Sequence, residues 1–398
     1  MLIGQWMDRD SIRKNNAKAI LTTLIAEREA PRNMLAEKAG ISVMSVGRIA
    51  DELIELGFLR ETKASVQRSS NSGRPPKVLT LNTEQLLCCG VNLDKSALHM
   101  GILDPYGAIR DRRDVPYPGD QKFTSELILP WMADEIESFL QQWKGRGLTN
   151  QVGVAVPGIV DAQNGVLQFS ANLRLQNSPV AAYLKERLPD FEFTLENDAK
   201  ALAQAEYQFG KAAGTQNMVV LSMGAGVGSA AILNGEVYRA RNNMAGEIGH
   251  IVINPAGKIC ECGKVGCLQT NLTKNAILNE AHNVYPGITL PELLEYAGRG
   301  ETFAEALVKQ VVEYMSMTIN LLANTYAPDR IFLSGATMWE CPGFFTLVEQ
   351  NYKKFLSQYI EDPLQISLDS FGPDGYVIGG GAVAFNQTVD ALRIRHIE

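Results

Sequence analysis

The sequence lacks the long apolar runs that membrane-spanning and secreted proteins carry. No stretch of 18 apolar residues occurs, and charged residues appear by position 8. We therefore expect neither a transmembrane helix nor a signal peptide, and we expect a cytoplasmic protein without membrane insertion. Cysteine is also scarce, with six in 398 residues. In a reducing compartment these cysteines do not form a disulfide framework, so any tight group of them needs another explanation.

The composition is that of a folded chain with unevenly distributed charge. Hydrophobic residues make up 45% and charged residues 20%, which favours large buried cores, and the length suggests two or three domains. Residues 1–80 contain 13 Lys and Arg against 9 Asp and Glu, whereas the whole chain has a net charge of −7. A basic head on an acidic body is typical of a nucleic-acid-binding domain attached to a sensing or catalytic body.

The head has the pattern of a winged helix-turn-helix. A first helix over residues 12–28 is followed by a second, RNMLAEKA, which Gly40 ends, and Ser42 caps a third helix over residues 43–56. The third helix has a buried apolar stripe at a helical spacing: Val46, Ile49, Leu53 and Leu56. Its exposed face makes it the predicted recognition helix for duplex DNA, and the residues after it predict a strand, a basic loop and a second strand.

Five residues are predicted to contact DNA. They are Met44, Ser45 and Arg48 on the recognition helix, and Arg68 and Arg74 on the wing loop. One helix and one wing contact few bases, so we expect a dimer on a palindromic operator. The alternative for the head is a three-helix protein-interaction module with a flexible linker.

The body is internally duplicated. The segment VNLDKSALHMGILDPYGAIRDRR is echoed by VLSMGAGVGSAAILNGEVYRARN, and each copy is followed by a long helix and a strand ending in glycine. Two such units predict a two-lobed α/β fold with a ligand cleft between the lobes. We place the winged head at residues 1–84, the first lobe at 85–195 plus 382–398, and the second lobe at 196–381.

A cysteine and histidine cluster predicts a metal site in the second lobe. Cys260, Cys262 and Cys267 lie close to His250 in sequence, and three thiolates with one imidazole form a closed four-coordinate shell suited to structural Zn²⁺. Because no ligand position is left open for water, catalytic zinc is disfavoured. The alternative is a set of reduced cysteines packed as small hydrophobic residues.

Five segments together carry a resemblance to a known family. GVAVPGIVD, ENDAKALAQAE, LSMGAGVGSAAILNGEV, AGEIGH and CECGKVGCL resemble, in this order and spacing, the ROK family of sugar kinases and sugar-responsive repressors. With the winged head in front, the chain is similar to the repressor branch. The resemblance implies an actin-like, ribonuclease-H-like ATPase-type fold in two lobes, a sugar in the cleft, and dimers or tetramers.

The resemblance also implies the sugar-binding residues. Four of them match motif positions whose side chains hydrogen-bond sugar hydroxyls: Asn197, Asp198, Glu247 and His250. In the kinases the match to Asp198 is the general base, and we also expect Asn172 and Gln269 in the site. From the residues alone, Asn197 and Asp198 are equally well explained as the cap of a helix. Gln269 stands where the family has Glu, which predicts weak binding of neutral sugars and favours a phosphorylated or acidic one. The alternative is a site that no longer senses sugar.

The phosphate side departs from the kinase pattern. Where the kinases carry Asp-x-Gly-Gly-Thr, this chain has the run Asn92 to Ser96, with Asp94 and Lys95 in place of the two glycines. Binding a triphosphate needs a close approach of the backbone to the phosphates, which two glycines would allow. Because Asp94 and Lys95 stand in their place, we predict that the protein does not phosphorylate sugars and has no catalytic residues. The leading hypothesis is a sugar-responsive transcriptional repressor. The alternatives are a sugar kinase carrying a DNA-binding domain, and a regulator whose effector is a sugar-transport protein.

Overall fold

A computed structural model describes residues 9–63, 77–118, 124–357 and 364–392. The head forms three helices and a two-stranded antiparallel sheet: α1 (Arg9–Glu27), α2 (Arg32–Ala39), α3 (Val43–Glu55), β1 (Leu59–Lys63) and β2 (Lys77–Leu81). The loop between the two strands lies outside the described residues. The predicted winged helix-turn-helix is thus confirmed in its helices and in the pairing of its wing strands.

Local chemistry places α3 as the sequence predicts. Gly40 ends α2 with a left-handed φ of 66°, and the Ser42 hydroxyl accepts a hydrogen bond of 3.1 Å from the Ser45 amide at the start of α3. Val46, Ile49 and Leu53 are buried as predicted. The predicted burial of Leu56 is wrong, because α3 ends at Glu55 and the Leu56 side chain remains 45% exposed beyond the last turn.

The first lobe is a five-stranded sheet with an attached three-stranded sheet. Its elements are β3 (Leu87–Leu93), β4 (Ala97–Leu103), β5 (Ile109–Pro116), α4 (Ser125–Gln141), β6 (Leu148–Val156), β7 (Ile159–Asp161), β8 (Val166–Ser170), β9 (Leu175–Ser178), α5 (Val180–Arg187) and β10 (Glu192–Asn197). The β7–β9 segments form the small sheet. One apolar core lies between the large sheet, α4 and α5.

Helix α6 (Asp198–Phe209) follows β10 and leads into the second lobe. That lobe contains β11 (Met218–Met223), β12 (Val227–Leu233), β13 (Glu236–Val237), α7 (Gln269–Leu272), α8 (Lys274–His282), α9 (Leu290–Gly298), α10 (Thr302–Tyr326), β14 (Arg330–Ser334), α11 (Ala336–Trp339), α12 (Gly343–Asn351) and β15 (Gln365–Leu368). Short 3₁₀ turns occur at Arg241–Asn243, Ile248–His250, Tyr352–Lys354 and Gly372–Asp374. The last helix is α13 (Gly375–Asp390).

The two large sheets repeat one topology, which confirms the predicted duplication. The strand order is β10-β6-β3-β4-β5 in the first lobe and β15-β14-β11-β12-β13 in the second. In each sheet the first three strands form an antiparallel meander, the fourth pairs in parallel with the first, and the fifth pairs in parallel with the fourth. The β3–β4 turn and the β11–β12 turn therefore occupy equivalent positions.

Helix α13 packs on the first sheet. A Cβ atom at Gly90 of β3 or at Gly153 of β6 would collide with the backbone of α13, so the glycines allow a close helix–sheet approach. Helix α6 contacts α13 on one side and β11 and β12 of the second lobe on the other. The domain boundary that we predict between residues 381 and 382 falls inside α13. One continuous helix therefore crosses the predicted boundary.

The head shares a core with the body. Leu59 and Leu81 of the head lie in the same apolar cluster as Phe385 of α13. Across this junction, the Tyr106 hydroxyl donates a 2.8 Å hydrogen bond to the Arg28 carbonyl and accepts one of 3.1 Å from the Leu81 amide. These contacts attach the head to the turn between β4 and β5. Among the described residues, no helix has the length and hydropathy to span a membrane.

Candidate functional site

The four predicted metal ligands converge at one point of the second lobe. One donor atom from each residue lies within 4.8 Å of the others, the set being His250, Cys260, Cys262 and Cys267. The Cys260 Sγ atom is 3.7 Å from His250 Nδ1, and the Cys262 Sγ atom is 3.7 Å from Cys267 Sγ. A tetrahedral ion with metal–sulfur bonds of about 2.3 Å separates its ligands by about 3.8 Å. The spacing therefore fits a four-coordinate metal ion.

A tightly turned loop holds these ligands in place. Isolated β-bridges join Val252 to Cys267 and Ile259 to Val265, and the Cys260 amide donates a 2.7 Å hydrogen bond to the Lys264 carbonyl. Gly266 has a φ of 80°, and a Cβ atom there would collide with the Asn254 carbonyl. The glycine is therefore required for this fold of the loop.

Burial acts against charge on all four ligands. Burial raises the pKa of Cys267 to about 12 and raises the pKa of Cys260. Burial also acts upward on Cys262, but the backbone amide of Lys264 and the neighbouring thiols leave its pKa lowered. Burial, followed by the charge of Lys264, lowers the pKa of His250, which keeps its imidazole neutral. A bound divalent ion would convert the thiols to thiolates.

Asn197 and Asp198 lie where β10 ends and α6 begins. The Asn197 Oδ1 atom accepts a 3.1 Å hydrogen bond from the Lys200 amide, and its Nδ2 atom donates one of 3.1 Å to the Gly158 carbonyl. Asn197 is therefore the helix cap that its sequence pattern allows, with both amide atoms engaged. Asp198 accepts a 2.8 Å hydrogen bond from the Ala199 amide. Burial raises the pKa of Asp198, against the opposing effect of Ala199 and Lys200.

Glu247 is the second carboxylate of this region. Gly246 precedes it with a φ of 94°, and a Cβ atom at Gly246 would collide with the Ser229 carbonyl of β12. Burial raises the pKa of Glu247, the charge of Lys200 lowers it, and the charge of Asp198 raises it. Asp198 and Glu247 thus lie close enough to influence each other. Both side chains are half-buried, Asp198 at the start of α6 and Glu247 three residues before His250.

The remaining predicted sugar residues have other neighbours. The Asn172 Nδ2 atom would lie 3.0 Å from a Cβ atom at Gly226, so Asn172 of the first lobe faces the glycine-rich turn of the second. The Gln269 Nε2 atom donates a 3.3 Å hydrogen bond to Cys260 Sγ. Gln269 therefore supports a metal ligand with its amide nitrogen. The roles of these two residues in a sugar site stay predictions.

The β3–β4 turn is closed by its own side chains. The Asp94 Oδ1 atom accepts hydrogen bonds of 2.6 Å from the Ser96 amide, 2.7 Å from the Ser96 hydroxyl and 2.9 Å from the Ala97 amide. Its Oδ2 atom lies 3.2 Å from His99 Nε2. Burial acts to raise the pKa of Asp94, but these hydrogen bonds lower it to about 2. The backbone donors that a phosphate would need here are directed at a carboxylate.

A family model described as "ROK family" matches residues 88–388. The chain belongs to the ROK family.

Members of the ROK family with two kinds of name are similar to this chain. The DNA-binding transcriptional dual regulator NagC of Escherichia coli K12 is 26% identical over 337 residues, which cover 82% of this chain and 81% of NagC. A glucokinase of Halalkalibacterium halodurans is 26% identical over 311 residues, covering 73% of this chain and 93% of the glucokinase. The percentage of sequence identity therefore does not distinguish a regulator from a kinase.

A solved structure covers the head as well. The crystal structure of a ROK family transcriptional regulator, described as a homologue of the E. coli MLC protein, has a TM-score of 0.78 at 23% identity. The match covers 95% of this chain and 97% of that one. The two chains therefore share one fold from the winged head through both lobes, as the sequence predicts.

The predicted DNA contacts of this ROK protein are partly placed by the structure. Met44 and Arg48 are exposed on α3. Ser45 is partly buried, and its hydroxyl lies 2.8 Å from the Ser42 hydroxyl at the helix cap. Arg68 and Arg74 lie outside the described residues. The exposed part of α3 thus includes two of the three contacts predicted on it.

A charged network beside the carboxylate pair was not predicted from the sequence. Lys200 is 1% exposed, and its Nζ atom donates a 2.8 Å hydrogen bond to the Asn243 carbonyl. Glu196 is also buried, accepts a 3.2 Å hydrogen bond from Asn243 and forms a salt bridge with Arg239. The only sequence signal is a lysine among the alanine and leucine residues of the first turns of α6.

An aromatic pair at the start of α13 was also not predicted. The Tyr376 hydroxyl at the start of α13 lies 2.6 Å from the Ser222 hydroxyl of β11. The Tyr376 ring packs edge-on against Trp339, with ring centroids 5.7 Å apart. Burial, followed by the charge of Asp198, raises the pKa of Tyr376. This pair joins α13 to the second lobe. The sequence pattern gave no sign of it.

Proposed function

We propose that this chain is a sugar-responsive, DNA-binding transcriptional repressor of sugar metabolism that does not phosphorylate sugars. The observation that carries the proposal is the closed β3–β4 turn on a ROK body joined to a winged head. The body retains two half-buried carboxylates suited to a polyol, whereas the turn offers Asp94 where a kinase needs free backbone donors.

The head supports the DNA-binding part of this proposal. Helix α3 buries one face in the head's core and leaves Met44 and Arg48 exposed on the other. Arg48 can donate two hydrogen bonds to a guanine edge in the major groove. The predicted wing residues Arg68 and Arg74 would add phosphate and minor-groove contacts. NagC, which is named as DNA-binding, matches 82% of the chain. We expect a homodimer or tetramer on a palindromic site, acting in the cytoplasm.

The proposed effector is a sugar or sugar phosphate in the cleft between the lobes. Its hydroxyl groups would donate to Asp198 and Glu247, and Asn172, Asn197, His250 and Gln269 are proposed to complete the site. The sequences named N-acetylglucosamine repressor, at 26% identity, favour a hexose derivative as the class to test first.

A structural Zn²⁺ ion is proposed at the cysteine and histidine cluster. Three thiolates and one imidazole are a ligand set that zinc prefers, and all four positions are filled by protein groups. The metal would fix the loop that begins three residues after Glu247. It would therefore support the effector site and carry out no chemistry of its own.

Helix α6 offers a route from the effector site to the head. It begins at Asp198, and its last residue, Phe209, packs against the β4–β5 turn, where a Cβ atom at Gly107 would lie 2.6 Å from the Phe209 ring. The neighbouring Tyr106 hydroxyl holds Arg28 and Leu81 of the head. A shift of α6 on effector binding would therefore reach the head through directly packed residues.

The proposal is tested by selecting DNA for the full-length protein. Duplexes recovered from a random library should share a palindromic sequence, and binding should weaken steeply with salt because phosphate contacts release counterions. Arg48→Ala should weaken the selected operator by about 10- to 100-fold, the loss of one bidentate base contact. Lys144→Ala, which removes an exposed charge from the body, should leave the affinity unchanged. Failure to recover any preferred duplex would contradict the proposal.

A further inference from the structure

Gly47 lies in the middle of α3, yet nothing in the described part of the chain requires a glycine there. A Cβ atom at Gly47 would have no described atom within 4 Å, and the residue keeps ordinary helical backbone angles. Elsewhere in the chain, as at Gly90 and Gly246, a Cβ atom would collide with backbone. Glycine disfavours a helix more than any residue except proline. Gly47 therefore weakens α3 without a compensating contact inside the protein.

The surface beside Gly47 is apolar and unusually exposed. Val43 is 59% exposed and Met44 is 69% exposed, although both are large apolar residues at the start of a helix. Residues three and four positions apart share one helix face, so Val43, Met44 and Gly47 are neighbours on the surface of α3. Arg48 lies at the border of this strip. The strip thus combines a bare stretch of backbone with two exposed apolar side chains.

We propose that this strip, formed by Val43, Met44 and Gly47, is the sequence-reading surface of α3 and that it selects thymine. The missing side chain at Gly47 would let the backbone of α3 approach the base edges closely. Val43 and Met44 would then contact thymine C5-methyl groups, the apolar feature that a base pair presents in the major groove. This inference depends on the proposed function, because it names the chemistry by which the same head would choose its operator.

Two features favour DNA over a protein partner for this strip. The strip is on the second helix of a helix-turn-helix, whose N-terminal exposed residues are the ones that meet base edges. A helix of about 10–12 Å diameter fits a major groove about 12 Å wide with little clearance, so removing one side chain changes how deeply it sits. A flat protein surface would impose no such requirement.

The first test is Gly47→Ala, with the selected operator as the probe. Alanine favours a helix and meets no described neighbour, so Tm should rise or stay unchanged while operator affinity falls at least tenfold. Gly298→Ala is the matched control, because Gly298 is a helical glycine of α9 that also has no described atom within 4 Å of a Cβ position. The Tm of Gly298→Ala should also rise or stay unchanged, and its affinity for the operator should equal that of the wild type. A Gly47→Ala protein that binds as well as the wild type would overturn the inference.

The second test replaces thymine by uracil in the operator, which removes only the methyl group. The wild-type protein should lose about threefold to fivefold in affinity for each contacted thymine that is replaced, because that is the contribution to binding of burying one methyl group. Met44→Ala should already bind more weakly and should no longer distinguish the two bases at one position. If the wild type binds both duplexes equally, the thymine assignment is wrong. If it binds no selected duplex at all, the proposed function itself has failed.

Discussion

The two equivalent hairpin turns of the duplicated body are closed in different ways. The first-lobe turn between β3 and β4 is filled by the Asp94 carboxylate, which accepts from the Ser96 and Ala97 amides. The second-lobe turn between β11 and β12 is Gly224–Gly226, in which the Gly224 amide donates a 2.9 Å hydrogen bond to the Gly226 carbonyl. A side-chain carboxylate closes the first turn, whereas a hydrogen bond between backbone groups closes the second.

This difference leaves the ROK architecture intact and lies in the residues of one turn. Both sheets keep the same strand order, so the architecture alone would suggest a kinase as readily as a regulator. The residues of the turns carry the distinction. On the second-lobe side, Glu247 and the metal loop preserve a polar site. On the first-lobe side, the Asp94 carboxylate fills the turn that we propose would otherwise meet a phosphate.

The largest expected effect comes from breaking the second-lobe side at its metal cluster. Cys262→Ser should lower the zinc content from one ion per chain towards zero. It should also reduce the free energy of unfolding by about 3 kcal/mol or more, since binding the ion contributes directly to folding. Plasma mass spectrometry and chemical denaturation measure the two quantities.

A matched cysteine variant separates metal loss from loss of a thiol. Cys341→Ser changes another buried cysteine that lies outside the cluster, and it should keep its zinc. Wild-type protein purified without chelators that contains no zinc would contradict the structural metal site.

A smaller effect is expected from Asp198→Asn, which changes the proposed sugar contact and keeps the shape of the side chain. Replacing charge-assisted hydrogen bonds by neutral ones should weaken effector binding by about 1–2 kcal/mol, or roughly 5- to 30-fold. Calorimetry with the effector measures this change. Asp190→Asn, on an exposed loop paired with Lys144, should bind as the wild type does. Unchanged effector affinity in Asp198→Asn would place the sugar elsewhere.

The smallest effect concerns the first-lobe turn. The pKa of Asp94 is about 2, below its ordinary value of 3.8, so its carboxylate stabilises the folded state above pH 3.8. That contribution is lost as the pH falls from 3.8 towards 2. Because the side chain is 43% exposed, solvent screening limits the contribution to about 1 kcal/mol.

Asp94→Ala tests this account by comparison with the wild type. The variant should unfold at about 1 kcal/mol lower free energy near pH 6, and the difference should shrink as the pH falls through that range. Urea denaturation at several pH values measures this difference in unfolding free energy. Any loss of stability from metal release in acid affects the variant and the wild type alike, so it cancels in the difference. A difference that stays constant down to pH 2 would exclude the carboxylate as its source.

Local pattern explains why much of this molecule was predictable. Gly40 and Ser42 mark helix ends through backbone geometry and capping, and the echo of two segments revealed the repeated sheet. The four metal ligands are clustered within 18 residues. Each of these signals is contained in a short stretch of sequence.

Contacts between distant residues were not predictable in the same way. Tyr376 and Ser222 are 154 residues apart, and the Lys200 ammonium group meets Asn243 from another element. The shared core of the head and α13 likewise joins the two ends of the described chain. Such contacts depend on how elements pack, which periodicity and spacing do not specify. Leu56 was misassigned for a local reason, because its helix ends one residue earlier.

The most direct test of the account measures operator binding and sugar phosphorylation in the same sample. Full-length protein, its selected operator, ATP with Mg²⁺ and a panel of hexoses, amino sugars and their phosphates would be followed by fluorescence anisotropy and by assay of sugar phosphate formed. The account predicts that at least one sugar or sugar phosphate changes operator affinity while no ATP is turned over. Phosphorylation of a sugar that is abolished by Asp198→Ala would contradict it.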